Sequence, residues 1–387
     1  MTGDENKIRS LLILYDYFYP GYKAGGPIQS LNNLIATLGK QYSVSVITSA
    51  FDLHSAKSYA DIRVNKWNTV ILPGCSWPIT VWYGRKKSPT IKKLKQLIYR
   101  VKPEFIYITG IFSYRFCMVP LMAVNRLNYT AKIIICPRGM LQQEALSGKS
   151  LKKNLYLKLL SFSGLLKSVS WHATSREEKE DIKKVFGEKQ PVEIAGNIPR
   201  KPLAITNYPI KQKGGLRLVY LSLIAEKKNL LMGLEIIKKC DGVTLDIYGP
   251  VKDVAYWKEC KQIIDQSHGK LKYKGEIIPE KVQETFEQYD ASILLTKGEN
   301  FGHALYESLS VGRPVITSHF TPWNNLQQQK AGWNIDISSM DEAVSLLKYL
   351  CNMSSNEFNE YADGAHELAV NYYSGLNSVD DYTKLFS

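Results

Sequence analysis

The densest group of chemically capable residues runs from Gly298 to Glu307 and reads Gly-Glu-Asn-Phe-Gly-His-Ala-Leu-Tyr-Glu. Its two carboxylates, Glu299 and Glu307, stand eight positions apart, with Asn300, Phe301 and Gly302 between them. Carboxylates suit the vicinal hydroxyls of a sugar or a ribose, because each ionised oxygen accepts charge-assisted hydrogen bonds. An apolar run over 291–295 precedes the group, and a helical pattern ending near Gly312 follows it. Glu299 therefore falls on the loop at the carboxyl end of a strand, where open α/β sheets bind ligands, and Glu307 lies just over one turn into the helix. At the helix start, the free N–H groups near Phe301 and Gly302 and the positive end of the helix dipole can hold phosphate oxygens.

Three further groups sit at equivalent places. Lys228 lies in the stretch 222–229 that follows the strand expected over 216–221, so its ammonium lies at a strand's carboxyl end, where a phosphate would be met. Gly25 and Gly26 follow the run over 8–14 and precede a helix, so the backbone there can approach a ligand closely. Asp16, Tyr17 and Tyr19 share that loop and could wall an acceptor or pack in the core. Ser175 with Glu178 reads as a helix capping box, which leaves Thr174 beside it as a polar lining candidate.

These positions require elements to hold them. The runs over 8–14, 44–48, 105–109 and 133–136 alternate with helical patterns over 28–38 and 90–101, which predicts a parallel sheet. After a segment spaced by Pro199, Pro202 and Pro209 the pattern restarts, with strands expected over 216–221, 244–248, 291–295 and 314–317 and helices over 229–239 and 255–267. The 387 residues, 44% of them apolar, exceed one ordinary core and suit two domains. We expect an N-terminal domain over 1–200, a second over 201–368, and a C-terminal helical segment over 369–387. No start signal is read in the acidic and polar first six residues, and no window reaches the roughly 18 apolar residues of a membrane span. The six cysteines are scattered without a C-x-x-C pair, as reduced thiols of a cytoplasmic protein would be.

Glu299, Phe301, Gly302 and Glu307 together resemble the E-x-F-G-x-x-x-x-E hallmark of glycosyltransferase family 4, the retaining group-1 enzymes of the GT-B fold. Cys136-Pro137-Arg138-Gly139-Met140-Leu141, His172-Ala173-Thr174-Ser175, Gly196-Asn197, Gly275 and Thr321-Pro322-Trp323 are similar to the bacterial polysaccharide members, so the likeness spans most of the chain. It implies two Rossmann-like parallel-sheet domains facing each other across a cleft, and transfer of a sugar from a UDP- or GDP-sugar with retention. It assigns Glu299 to the donor sugar, Glu307 to the ribose, and Lys228, Asn300, Gly25 and Gly26 to the donor side. It also places the C-terminal helix back on the first domain. Leu223 stands where the family usually has an arginine on the diphosphate, so Lys227, Arg138 or the helix start at Gly302 would have to compensate. Arg138 is thereby a catalytic candidate and, with Asp16, Tyr17 and Tyr19, an acceptor-side one. No D-x-D triplet occurs, which predicts transfer without a metal and without any other cofactor.

Charge is uneven: residues 1–200 hold 30 Lys/Arg against 13 Asp/Glu, a net of +17, and the rest hold 20 against 23, a net of −3. The run Arg85, Lys86, Lys87, Lys92, Lys93, Lys95, Arg100, Lys102 contains no acid. Its outward face would meet an anionic membrane on the cytoplasmic side, where a polyprenyl-diphosphate-linked acceptor, or another saccharide acceptor of cell-surface polysaccharide synthesis, resides. Two other readings stay open: a GT-B epimerase or phosphorylase, and a basic non-enzymatic module for membrane or nucleic acid. No nucleic-acid motif accompanies the charge, so nucleic acid is not expected as a partner. A dinucleotide oxidoreductase is disfavoured because no G-x-G-x-x-G follows the first strand.

Overall fold

The computed structural model describes residues 8–39, 41–147, 150–205, 208 and 211–387. The chain divides into two compact units, Met1–Ile198 with Asn377–Ser387, and Pro199–Leu376. The first unit contains β1 (Arg9–Leu14), α1 (Gly26–Leu38), β2 (Tyr42–Ser49), β3 (Trp67–Ile71), β4 (Pro78–Gly84), α2 (Ile91–Val101) and β5 (Phe105–Thr109). A π-helical turn, Tyr114–Met118, leads into α3 (Val119–Leu127), followed by β6 (Lys132–Cys136), α4 (Gln143–Ser147), α5 (Ser150–Phe162), β7 (Val169–Ala173), α6 (Arg176–Phe186) and β8 (Val192–Ile194).

The strands form one sheet in the order β3-β4-β2-β1-β5-β6-β7-β8. The apolar runs of β1, β5 and β6 lie inside it and are buried on both faces, as strands flanked by helix layers must be. Leu11 faces Val44 on one side and Phe105 on the other. Every pair is parallel except β3 with β4, an antiparallel edge that the βα alternation does not announce. Thr90 caps α2 by accepting from the Lys93 N–H, and Leu94, Leu97 and Ile98 turn into the core while the lysines stay outside it. The apolar face of α2 is therefore already used by the sheet.

The second unit contains β9 (Leu216–Leu221), α7 (Leu230–Lys238), β10 (Val243–Tyr248), α8 (Val254–Asp265), β11 (Leu271–Gly275), α9 (Val282–Phe286) and β12 (Ala291–Leu294). It continues through α10 (His303–Ser310), β13 (Val315–Ser318), β14 (Gly332–Ile335), α11 (Met340–Asn352) and α12 (Ser355–Ser374). Its six strands run β11-β10-β9-β12-β13-β14, all parallel. Gly249 shows how tightly the loops are set: a Cβ there would lie 1.9 Å from the Ser222 carbonyl oxygen.

The C-terminal segment is two helices rather than one, because α12 stops at Ser374 and α13 (Ser378–Leu385) starts after a break at Gly375–Asn377. Residues 377–387 belong to the first unit. There the Phe386 ring meets Tyr42, Phe105 and Tyr107 at centroid distances of 5.4, 5.6 and 5.9 Å, and the Tyr382 hydroxyl donates to the Gly196 carbonyl. Among the described residues no helix is long and apolar enough to cross a membrane.

Candidate active site

In each unit the strand order reverses beside the first strand, between β1 and β5 and between β9 and β12. Loops leaving the carboxyl ends of two such strands diverge to opposite faces and open a crevice, the usual place for a ligand in an open α/β sheet. Most residues singled out from the sequence lie on these four loops or on the helices they lead into.

In the second unit the loop after β9 carries Lys228 and the loop after β12 carries Glu299, 71 positions apart. The loops are zipped by backbone, since the Lys297 N–H donates to the Lys227 carbonyl at 2.8 Å and the Thr296 hydroxyl to the same oxygen at 3.1 Å. The Lys228 ammonium pairs with the Glu299 carboxylate, and the two side chains keep 20% and 11% of their surface accessible. An ammonium has three donors, so a lysine anchored by one carboxylate can still give hydrogen bonds to a second anion. The Glu299 N–H donates to the Phe320 carbonyl at 2.9 Å, which fixes the loop's backbone.

α10 begins at Gly302, whose φ of 79° is left-handed and whose lack of a side chain leaves the helix start without a side-chain cap. The Phe301 ring is buried among Trp323, Tyr306 and Tyr372, with centroids 5.5, 5.8 and 5.4 Å away. The Trp323 indole N–H donates to the Phe301 carbonyl at 2.6 Å. Phe301 and the Thr321-Pro322-Trp323 stretch thus hold the loop in place, and only the backbone of Phe301 is left for a ligand. Glu307 lies one turn further on. Burial pushes its carboxyl up to about 7 against the opposing pull of the Arg200 guanidinium. Its side chain makes no hydrogen bond or ion pair with another described residue. Leu223 offers its carbonyl to the Tyr220 hydroxyl and no side-chain charge.

In the first unit the pair across the reversal is Asp16 and Ser113: the Ser113 hydroxyl donates to the Asp16 carboxylate at 2.8 Å. Burial raises the Asp16 pKa, and the Ser113 hydrogen bond partly offsets it. Tyr15 and Phe18 are core residues, and Tyr17 and Tyr19 are half-buried and packed against the same core. Gly25, at φ 76°, precedes the first turn of α1, which starts at Gly26 with Pro27 behind it. Asp52, just past β2, holds this loop by accepting from the N–H groups of Tyr22, Lys23 and its own neighbour Leu53 at 3.0, 3.3 and 2.8 Å. Sequence reading did not select Asp52; an acid just past a strand that neighbours a glycine loop is the signal that would have found it.

Arg138 is buried, in the left-handed region at φ 56°, and committed to its own unit. Its guanidinium donates to the Asn197 side-chain oxygen and, at 3.1 Å, to the Tyr107 hydroxyl. Proton positions beyond it are fixed by elimination. His172 Nε2 lies 2.8 Å from the Ala195 carbonyl, which can only accept, so Nε2 carries the hydrogen; Nδ1 is then the acceptor for the Tyr107 hydroxyl at 2.8 Å. Burial and the Arg138 charge lower the His172 pKa to about 3, in agreement with a neutral ring. The motif residues His172 and Asn197 therefore serve this network.

The capping box expected at Ser175 is only half formed. Ser175 accepts from the Glu178 N–H at 3.2 Å, but the Glu178 carboxylate goes elsewhere. One oxygen accepts from the Gly139 N–H at 2.5 Å, and the other from the Thr174 N–H and hydroxyl at 2.8 and 2.6 Å. Glu178 ties the Arg138-Gly139 turn to the end of β7, and the Thr174 hydroxyl is spent on it. A buried carboxylate prefers several donors to the single N–H a capping box supplies.

Residues 208–364, within the second unit, match the model of the family glycosyl transferases group 1. No curated protein matches the sequence. Among solved structures, HepE of Anabaena in complex with UDP-glucose is 14% identical, with a TM-score of 0.69, covering 97% of this chain and 98% of that one. Sucrose-phosphate synthase of Thermosynechococcus elongatus is 11% identical with a TM-score of 0.71, covering 97% of both chains. WaaG, a glycosyltransferase involved in lipopolysaccharide biosynthesis, is 12% identical with a TM-score of 0.66, covering 97% and 98%. At these identities the likeness establishes the fold: two parallel-sheet α/β domains of the GT-B type.

Proposed function

We propose that the chain is a retaining glycosyltransferase of the family 4 type that moves a sugar from a nucleoside-diphosphate donor to a saccharide or lipid-linked acceptor in cell-surface polysaccharide synthesis. The observation that carries this reading is the Lys228–Glu299 pair at the strand-order reversal of the second unit, next to an uncapped helix start and the unpartnered Glu307 carboxylate. In this reading Glu307 accepts from the ribose hydroxyls and Glu299 from a hydroxyl of the donor sugar, with Asn300 beside it. The Lys228 ammonium and the N–H groups at Phe301 and Gly302 meet the diphosphate, and the Gly25-Gly26 loop supplies the close backbone approach.

The acceptor hydroxyl bonds to the anomeric carbon on the face from which the diphosphate leaves, as the bond to the diphosphate breaks and the hydroxyl proton passes to the departing phosphate oxygen. Negative charge grows on the departing phosphate, and preorganised donors placed there stabilise the transition state more than the ground state. Leu223 gives no guanidinium, so Lys228 and the helix start carry that task. Arg138 acts at one remove, by shaping the turn that borders the acceptor-side loop with Asp16, Tyr17 and Tyr19. No cofactor or metal takes part in this scheme, and the enzyme works on the cytoplasmic face of the plasma membrane.

Purified protein incubated with UDP- and GDP-sugars and a native lipid extract tests the proposal. Transfer with retained anomeric configuration, undiminished by chelator and selective for one nucleotide, is expected. Absence of both nucleotide-induced thermal stabilisation and transfer would reject it.

A further inference from the structure

The outward face of α5 is apolar and is covered by no described residue. Leu151, Leu155, Leu159 and Phe162 are 85, 60, 63 and 88% exposed, while Leu157 and Leu160 of the same helix are buried in the first unit. The four exposed residues follow one another at spacings of four, four and three, so they form a single ridge along 13 residues of helix. Lys152 and Lys158 are exposed, and at 100° per residue they flank the ridge on either side. No Asp or Glu occurs between Glu144 and Glu177, a stretch that also holds Lys153 and Lys167.

From this pattern we propose that α5 is a membrane-docking helix whose apolar ridge enters the headgroup and acyl boundary of a bilayer carrying anionic lipid. Large side chains this exposed are costly in water, and a contiguous exposed ridge marks an interaction surface. Flanking lysines with no acid nearby select an anionic surface, to which their ammonium groups reach while their stems lie along the apolar chains. A second copy of the chain fits less well, because a two-fold contact along α5 would bring lysine against lysine. The helix is placed to matter for the acceptor: the Tyr156 hydroxyl donates to the Ile111 carbonyl at 2.7 Å, and the Tyr156 ring lies 5.7 Å from that of Phe112. Ile111 and Phe112 open the loop whose Ser113 bonds Asp16, so a bilayer seated on α5 runs beside the strand-order reversal of the first unit. The α2 lysines add attraction at a distance but no aliphatic ridge, since Leu94, Leu97 and Ile98 of that helix are buried.

Flotation of the full chain with phosphatidylcholine vesicles, with and without phosphatidylglycerol, tests the inference independently of any nucleotide. Wild type should float only with the anionic vesicles. Leu155→Ser/Leu159→Ser/Phe162→Ser should lose about a hundredfold in partition, and Lys152→Glu/Lys158→Glu at least about tenfold. Near-UV circular dichroism identical to wild type establishes that the variants are folded. Wild type that stays in solution with both vesicles overturns the proposal, as does a folded triple variant that floats like wild type. So does a concentration-dependent dimer of wild type that the triple variant abolishes while vesicle binding persists, since the ridge would then belong to a second copy.

Discussion

Each unit bridges its strand-order reversal with a side-chain pair, and the two pairs differ in kind. In the second unit the bridge is an ammonium and a carboxylate, Lys228 and Glu299; in the first it is a hydroxyl and a carboxylate, Ser113 and Asp16. The ionic bridge leaves donors for a phosphate and belongs to the same loop and helix as a carboxylate, Glu307, that no described residue hydrogen-bonds, with only the Arg200 charge acting on it. The hydroxyl–carboxylate bridge brings no cation with it, and the buried cation of that unit, Arg138, is used almost entirely by the protein itself. The same topology thus gives one edge suited to a charged leaving group and one suited to an uncharged hydroxyl, which is the division of labour a group transfer requires.

The comparison breaks first if the ionic bridge proves dispensable. Glu299→Ala and Lys228→Ala should each lower transfer by about 10²- to 10³-fold with the melting temperature little changed, as loss of one preorganised charge partner does. Turnover within a few-fold of wild type would place the chemistry elsewhere. Arg138→Met should behave in the opposite way: it should cost about 3 kcal/mol in denaturant unfolding, because it removes the charged donor to Asn197 and Tyr107 from a buried network, yet leave the nucleotide Kd where it was. A weakened Kd at unchanged stability would make Arg138 a ligand contact instead.

Glu307 sharpens the comparison through pH. With its carboxyl pushed up to about 7, the ionised fraction rises about tenfold between pH 6 and 8, and nucleotide affinity should rise by about that factor. The stability of the free protein moves the other way: the folded state holds its proton more tightly than the unfolded chain, so this contribution is complete below the unfolded value and is lost as pH climbs through 7. Glu307→Gln should flatten both profiles, measurable by calorimetric titration and thermal unfolding across that range. The smallest effect is expected from Asp52→Ala, which removes the acceptor of three loop N–H groups and should destabilise by about 1 to 2 kcal/mol. Its transfer rate should fall more than its stability implies if the Gly25 loop must be held for the donor.

The elements that could be read from sequence are those whose burial is periodic. Strands β1, β5, β6 and β9 and helices α1, α2 and α7 declare themselves because two covered faces demand unbroken apolar runs and one covered face demands helical spacing. Trp67–Ile71 does not, since an edge strand half-open to solvent shows neither pattern. At the candidate site the residue types at the ends of strands were legible and their partners were not. Glu299 and Lys228 are drawn together by the adjacency of β9 and β12, and only the strand order contains that information. Glu178 was misjudged for the converse reason: local spacing proposes a capping box, and the Arg138-Gly139 turn, 39 positions away, offers its carboxylate more donors.

Residues 377–387 complete the first unit, yet they leave the ribosome only after the whole second unit has been made. Until then the hollow beside Tyr42, Phe105 and Tyr107 that receives Phe386 stands open to water, and β1 to β8 form a nascent domain with part of its core exposed. A chaperone or protease surveying the growing chain would find this half unfinished long after its own strands had been synthesised, and a lesion in residues 377–387 would be felt in the sheet built first.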